Sequence, residues 1–133
     1  MKFNYVRYGK DVLRPVIPII VKKGEQKLGY RVLVDSGADM CLFHAEVAEA
    51  LGIDVSKGKM GIVTGVGGKS STYYIHKLML DIGGWPIEMD IGFLPSIGGR
   101  NIPYGIVGQK GFFENFIVKF DLKKEEVELR TRT

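Results

Sequence analysis

Apolar positions alternate with polar ones along most of the chain, and a two-residue period predicts strands. Phe3 to Tyr8 alternates weakly. Pro15 to Val21 and Leu28 to Val34, both rich in Val and Ile, flank Lys22-Lys23-Gly24-Glu25, a pattern that predicts a hairpin. Pro15 and Pro18 each remove a ladder donor from the first run, which favours an edge position for it. Met60 to Thr64 and Tyr73 to Leu80 form a second predicted pair around Gly65-Val66-Gly67-Gly68, and Trp85 to Phe93 a further strand. Phe116, Val118, Phe120 and Leu122 alternate cleanly, and Val127 and Leu129 resume the alternation beyond a turn at Lys123-Lys124.

One stretch has the period of a helix. From His44 to Leu51 the apolar face is Val47, Ala48 and Leu51, and Gly52 stands where a left-handed residue stops a helix. A shorter helical turn is expected after Gly108, through Phe113. The fold class that follows is mainly β, with one or two short helices, in a single domain over residues 1–133. A faint duplication accompanies it. Val32-Leu33-Val34-Asp35 leads through a glycine turn towards the helix, and Tyr104-Gly105-Ile106-Val107-Gly108 leads in the same way into the second helical turn.

Composition narrows the function classes. With 45% hydrophobic and 26% charged residues the chain has globular rather than disordered make-up, and its 18 glycines follow no collagen-like period. The formal charge is +4, and the lysine doublets at positions 22–23 and 123–124 read as solvated turn residues. Nucleic-acid binding needs a denser basic stripe, so no nucleic-acid partner is expected. The single cysteine, Cys41, excludes an intramolecular disulfide and a Cys-based zinc site. His44 and His76 have no carboxylates near them at metal-ligand spacing and read as surface or rim residues; no metal and no cofactor is expected. The N-terminal MKFNYVRYGK lacks the apolar segment of a signal peptide. The longest apolar stretch, Val16 to Val21, is interrupted by Pro18 and is too short to cross a bilayer. A cytoplasmic protein with no membrane partner is the expectation. Trp85 is expected in the core or in an interface between subunits.

The chemistry concentrates in Val32-Leu33-Val34-Asp35-Ser36-Gly37-Ala38-Asp39. Three apolar strand formers end abruptly in a carboxylate, a hydroxyl and a glycine. An ionised carboxylate at the edge of an apolar layer is costly unless neighbours hydrogen-bond it. Ser36 offers a hydroxyl, and Gly37 lets the backbone turn and present N–H groups. Asp-Ser-Gly alone also fits an aspartate that caps a turn or the next helix. Gly68-Lys69-Ser70 looks like the end of a phosphate-binding loop, but the glycine required five residues earlier is Val63, and Thr72-Tyr73-Tyr74-Ile75 favours a strand over the required helix.

The whole string VLVDSGAD, followed by a short helix ending in Leu51-Gly52, resembles the active-site signature of retropepsin-like aspartic proteases. Thr64-Gly65-Val66-Gly67-Gly68 resembles the glycine-rich tip of that family's flap hairpin, and Ile106-Val107-Gly108 the element that packs beside the catalytic loop. The segment Gly111 to Asp121 resembles the end of its cellular and bacterial members. The likeness covers residues 15 to 130.

This resemblance implies a closed acid-protease-type barrel, a homodimer, a polypeptide substrate, and no cofactor. Each subunit would bring one Asp35 to the two-fold axis, where two like charges cannot both ionise easily. One carboxylate would act as general base on a water between them, and the protonated partner would donate to the peptide carbonyl oxygen. Ser36 would hydrogen-bond across the axis, with Gly37 completing the catalytic turn. Ala38 and Asp39 would line the cleft, Asp39 meeting substrate N–H groups; Asp39 also fits a charge stabilising the next helical turn. Gly65, Val66, Gly67 and Gly68 would close over the substrate. Two departures stand out. Gln109 and then Lys110 follow Gly108, where many retropepsins carry an arginine that braces the loop, so Asp39 would lack its ionic partner. Met40 and Cys41 replace residues that are often polar, and Cys41 reads as a small core residue. The alternative is a catalytically inactive domain of the same fold, used for dimerisation or peptide binding.

Overall fold

Three short strands open the chain: β1 (Lys2–Asn4), β2 (Val6–Gly9) and β3 (Val12–Arg14), the last two paired with each other. The structure, a computed structural model, describes residues 1–65, 67–95, 97 and 102–132. The first predicted hairpin is β4 (Val16–Lys23) against β5 (Gln26–Val34), turning on Gly24 at φ +58. Its turn is tighter than the sequence suggests. Lys22 and Lys23 finish β4, and Lys22 pairs with Asp81 at 3.6 Å.

After β6 (Leu42–His44) comes the predicted helix, α1 (Ala45–Ala50). Gly52 stops it at φ +74, as expected, and the N–H groups of Gly52 and Ile53 return to the carbonyls of Glu49 and Ala48 at 3.0 and 2.9 Å. A single 3-10 turn follows at Val55–Lys57. The long strands are β7 (Lys59–Thr64), β8 (Ser70–Ile82) and β9 (Trp85–Leu94), and short β10 (Gly105–Val107) follows. The helical turn expected through Phe113 is not regular. Gln109–Phe113 winds as a wide turn broken at Lys110 (ψ 125) and Gly111 (φ 95), a left-handed step that glycine makes without strain. The chain ends in the predicted hairpin β11 (Phe116–Asp121) and β12 (Glu126–Thr131).

The strands β4-β5-β10-β6-β9-β8 pair in that order, and β8 pairs back onto β4 at Ile20↔Asp81, so the sheet closes into a ring with β7 on its outer flank. The edge position expected for the proline-bearing strand therefore holds for only half of it. Around Pro18 the strand pairs with β5 alone, whereas Ile20 to Lys22 pairs on both sides. The ring's main core is built from Ile17, Ile19, Val21, Val32, Val34, Phe43, Leu78, Leu80, Ile91, Phe93 and Val107. Val47, Ala48 and Leu51 of α1 join it, as do Phe112, Phe116, Val127 and Leu129. Removing this much apolar surface from water is the dominant stabilising term of such a fold.

The faint repeat in the sequence has a spatial meaning. β5 and β10 lie side by side and parallel, with Val32, Leu33 and Val34 opposite Gly105, Ile106 and Val107. A separate sheet in the order β1-β12-β11 ties the two ends of the chain together within one protomer, the Leu129 N–H meeting the Met1 carbonyl at 2.8 Å. Trp85 is not in the core: it stands 42% exposed at the β8–β9 turn, beside Gly83 and Gly84. No helix among the described residues is long and apolar enough to cross a membrane.

Candidate active site

Side-chain alternation sorts the two central strands. Val32, Val34 and Val107 point into the main core, so Leu33, Asp35 and Ile106 point to the opposite face. A second, smaller apolar cluster covers that face: Leu42, Leu94 and Ile97 are buried, with Met40, Val63, Tyr73, Ile102 and Ile106 packed against them. Asp35 thus stands half-buried at the end of a strand, beside an apolar strip. Two glycines make room in it. A Cβ on Gly92 would lie 2.9 Å from Met40 and 3.2 Å from the Tyr73 ring, and one on Gly61 would overlap that ring, so Tyr73 lies flat across both strands.

The loop from Asp35 is held by its own backbone and by the loop after β10. The Asp35 N–H donates to the Val107 carbonyl at 3.0 Å, extending the parallel ladder by one step. Its carboxylate Oδ1 accepts the Gly37 N–H at 2.9 Å, and the Ala38 N–H reaches the Asp35 carbonyl at 3.2 Å. Coming back, Gln109 N–H donates to the Ala38 carbonyl at 2.8 Å and Lys110 N–H to the Asp39 carbonyl at 3.0 Å. Gly108 sits between these strands of backbone, where a Cβ would be 2.5 Å from the carbonyl oxygens of both Ala38 and Met40. The structure therefore brings Asp35, Ser36, Gly37, Ala38 and Asp39 together with Ile106, Val107 and Gly108.

Gln109 proves to brace the loop itself. Its side-chain Nε2 donates to the Ser36 carbonyl at 2.6 Å. A neutral amide thus ties down the turn after Asp35 where the sequence suggested that support was missing. Among the described residues no cation lies within ion-pair distance of Asp39. Ser36, Gly37 and Asp39 are all exposed.

The glycine-rich tip closes the β7–β8 hairpin. Thr64 pairs with Ser70, their hydroxyls 3.1 Å apart, and the Gly65 N–H donates to the Lys69 carbonyl at 3.0 Å. Gly67 and Gly68 take φ values of +93 and +80, and Gly68 N–H meets the Gly65 carbonyl at 3.1 Å. Val66 lies outside the described residues. The tip glycines make no hydrogen bond to the Asp35 loop among the described residues; Val63 and Tyr73, further down the hairpin, link it to the Asp35 face.

The other candidates resolve into structural roles. Cys41 is fully buried, its Sγ 3.6 Å from the Lys110 carbonyl and 3.5 Å from the Gly108 N–H that donates to it. Burial pushes its thiol up to about 11. A thiol so placed is inert, and the expected result is that iodoacetamide alkylates Cys41 in denaturant but not in the native protein at neutral pH, as read by mass spectrometry. Both histidines are half-buried, which fits the rim positions expected of them, and each has a hydrogen-bond partner. His44 Nδ1 and the Tyr30 hydroxyl are 2.5 Å apart, and His76 Nε2 lies 2.9 Å from the Val55 carbonyl, both rings half-buried. Burial pushes the Tyr30 phenol up, so it stays a hydroxyl donor and acceptor. No cluster of three or more potential metal ligands occurs among the described residues.

A ring of strands carrying an Asp-Ser-Gly loop braced by a parallel Ile-Val-Gly strand defines the retropepsin-like class of fold. Solved structures agree. The chain is similar to a retropepsin-like aspartic protease from Rickettsia conorii, with a TM-score of 0.68, 18% identity, and coverage of 96% of this chain and 97% of that one. It is also similar to the EIAV protease complexed with the inhibitor HBY-793, with a TM-score of 0.54, 20% identity, and coverage of 78% and 88%. No curated protein matches the chain. The aspartyl protease family model matches residues 18–110, and the chain belongs to this family of retropepsin-like aspartic proteases.

Proposed function

We propose that the chain is a homodimeric aspartic endopeptidase in which two copies of Asp35 face each other across a two-fold axis. One observation carries the reading: a half-buried carboxylate stands on an open, apolar face, on a loop fixed by backbone hydrogen bonds to a neighbouring strand. One protomer supplies one such carboxylate, and aspartic-protease chemistry needs two sharing a proton.

In the pair, the ionised Asp35 takes a proton from the water held between the carboxyls while the water oxygen attacks the peptide carbonyl carbon. The protonated Asp35 donates to the carbonyl oxygen, giving a neutral tetrahedral diol. Collapse breaks the C–N bond as the nitrogen receives the proton held by the base and one diol hydroxyl returns its proton to the other Asp35, so that an acid and an amine leave and the shared-proton pair is restored. Gly37 and Gln109 keep each carboxylate aimed, because their hydrogen bonds fix the turn from either side of Ser36. Ser36 would meet its copy across the axis. Ala38 and Asp39 would line the cleft, Asp39 accepting from substrate N–H groups, and the tip from Gly65 to Gly68 would close over an extended peptide.

Sedimentation velocity over a dilution series, with cleavage of an unstructured polypeptide measured on the same samples, tests the reading. Specific activity should follow the dimer fraction and fall on both sides of an acidic optimum, since a shared-proton pair fails when both carboxyls are protonated or both ionised. Undiminished activity in a sample that sediments wholly as monomer would refute the two-Asp35 site. A stable dimer without hydrolysis would leave a peptide-binding domain.

A further inference from the structure

The flap hairpin has a second face that the peptidase reading leaves unused. Val63 and Tyr73 point to the Asp35 side, so Met60, Ile62 and Thr64 point away from it. Met60 is 63% exposed and Ile62 67% exposed, the most open large apolar side chains of the described residues apart from Leu122. Met60 is opposite Tyr74 and Ile62 opposite Thr72. Tyr74 and Thr72 in turn line a depression of about 380 Å³ completed by Ala45, Val55, Ser71, Phe93 and Pro95. A largely apolar surface, with the hydroxyls of Ser71 and Thr72 in it, therefore runs from the outer strand of the hairpin towards the start of α1.

Among the described residues β7 pairs with β8 alone, so its other edge from Lys59 to Thr64 offers unpaired backbone donors and acceptors there. Edges of this kind accept an added strand. The hairpin itself carries one sign of charge. From Val55 to Leu80 the chain holds Lys57, Lys59, Lys69 and Lys77 and no Asp or Glu, although Asp54 lies beside Lys57. Lys77 is paired with Asp90 at 3.4 Å, but Lys59 and Lys69 are exposed and form no ion pair among the described residues. Lysine on an edge ordinarily repels strand addition by other basic or neutral chains. It also selects for the opposite charge.

We infer that the outer edge of β7 is a docking site for an extended acidic segment of a polypeptide, which adds as a strand to Lys59–Thr64 and lays its apolar side chains against Met60, Ile62 and the Tyr74 depression. The inference rests on the peptidase reading in one respect: the docked segment belongs to the polypeptide whose scissile bond enters the Asp35 cleft. Docking at β7 would then raise the local concentration of that bond, and specificity would come from outside the cleft as well as from within it.

The probe is a fluorescein-labelled peptide alternating Glu and Val, followed by fluorescence anisotropy on the Asp35→Asn protein so that nothing is cleaved. Binding should weaken as salt rises. Replacing Glu by Gln in the peptide, or combining K59E with I62E in the protein, should each weaken binding about tenfold or more. A peptide N-methylated at every residue should bind no better than background, because it cannot donate main-chain hydrogen bonds from either edge. Equal affinity for the K59E/I62E protein, or for the N-methylated peptide, overturns the inference. With Asp35 intact, K59E/I62E should cleave a short apolar peptide at the parental rate while cleaving a long polypeptide with an acidic segment more slowly; equal slowing of both would place β7 in the cleft and refute a separate site. If the parent cleaves nothing yet binds the probe through β7, the peptidase reading falls and the docking edge stands.

Discussion

Asp35→Asn protein should fold like its parent and lose peptide hydrolysis by about a thousandfold or more. The substitution is nearly isosteric, and the amide oxygen of Asn accepts the Gly37 N–H as Oδ1 of Asp35 does at 2.9 Å. The backbone bond to Val107 at 3.0 Å does not involve the side chain. Circular dichroism and the thermal midpoint should therefore change little. On the proposed mechanism, what would disappear is the group that takes a proton from water, since an amide is neither a base nor an acid near neutral pH. Turnover measured on an unstructured polypeptide, with both proteins at the same dimer fraction, decides the matter. Full activity in the Asn variant would sink the assignment of chemistry to this residue.

Gly108→Ala should be among the most damaging small changes in the chain, costing about 2–4 kcal/mol of stability. The backbone of Gly108 is extended, at φ −124 and ψ −163, so an alanine could adopt it without torsional strain. Space is the obstacle. The added methyl would stand 2.5 Å from two carbonyl oxygens, those of Ala38 and Met40, and backbone atoms cannot swing aside as a side chain can. Relief requires the loop after β10 to move off the Asp35 loop, which stretches the Gln109 and Lys110 hydrogen bonds. Chemical denaturation should show the lowered stability, and activity should fall further than the folded fraction alone accounts for. By contrast, Gly65→Ala should cost little, because nothing lies within 4 Å of its Cβ position.

Much of this arrangement is readable from local pattern. Val16 to Val21 and Leu28 to Val34 are rich enough in Val and Ile, and Phe116 to Leu122 and Val127 to Leu129 alternate cleanly enough, to mark their strands, and α1 carries both an apolar face and its glycine stop. Strands of three residues are not readable. β3 and β6 are too short to show a period, and β6 runs straight into the helix whose pattern masks it. The broken turn at Gln109–Phe113 resembles a helix in composition; Gly111 departs from it because its amide finds Glu114 Oε1 at 2.7 Å. Local pattern does not decide between the core and a subunit interface for Trp85; its 42% exposure removes the core and leaves the interface. The site shows the same division. Asp35, Ser36 and Gly37 announce themselves, and Ile106-Val107-Gly108 can be matched to them by likeness. That the Gln109 amide would reach the Ser36 carbonyl depends on a register between β5 and β10 that no nearby residue encodes.

The parallel pairing of β5 with β10 also bears on when the chain acquires its chemistry. The Gln109–Ser36 contact joins residues 73 apart, with a helix and the β7–β8 and β8–β9 hairpins in the chain between them. Contacts of such separation form slowly, because the entropy of closing a large loop is lost before the contact is made. A nascent or half-folded chain thus holds Asp35 on a slack tether, aimed at nothing. On the proposed mechanism, a chain still exposing its own strands would then lack an aimed carboxylate with which to cut itself or its neighbours.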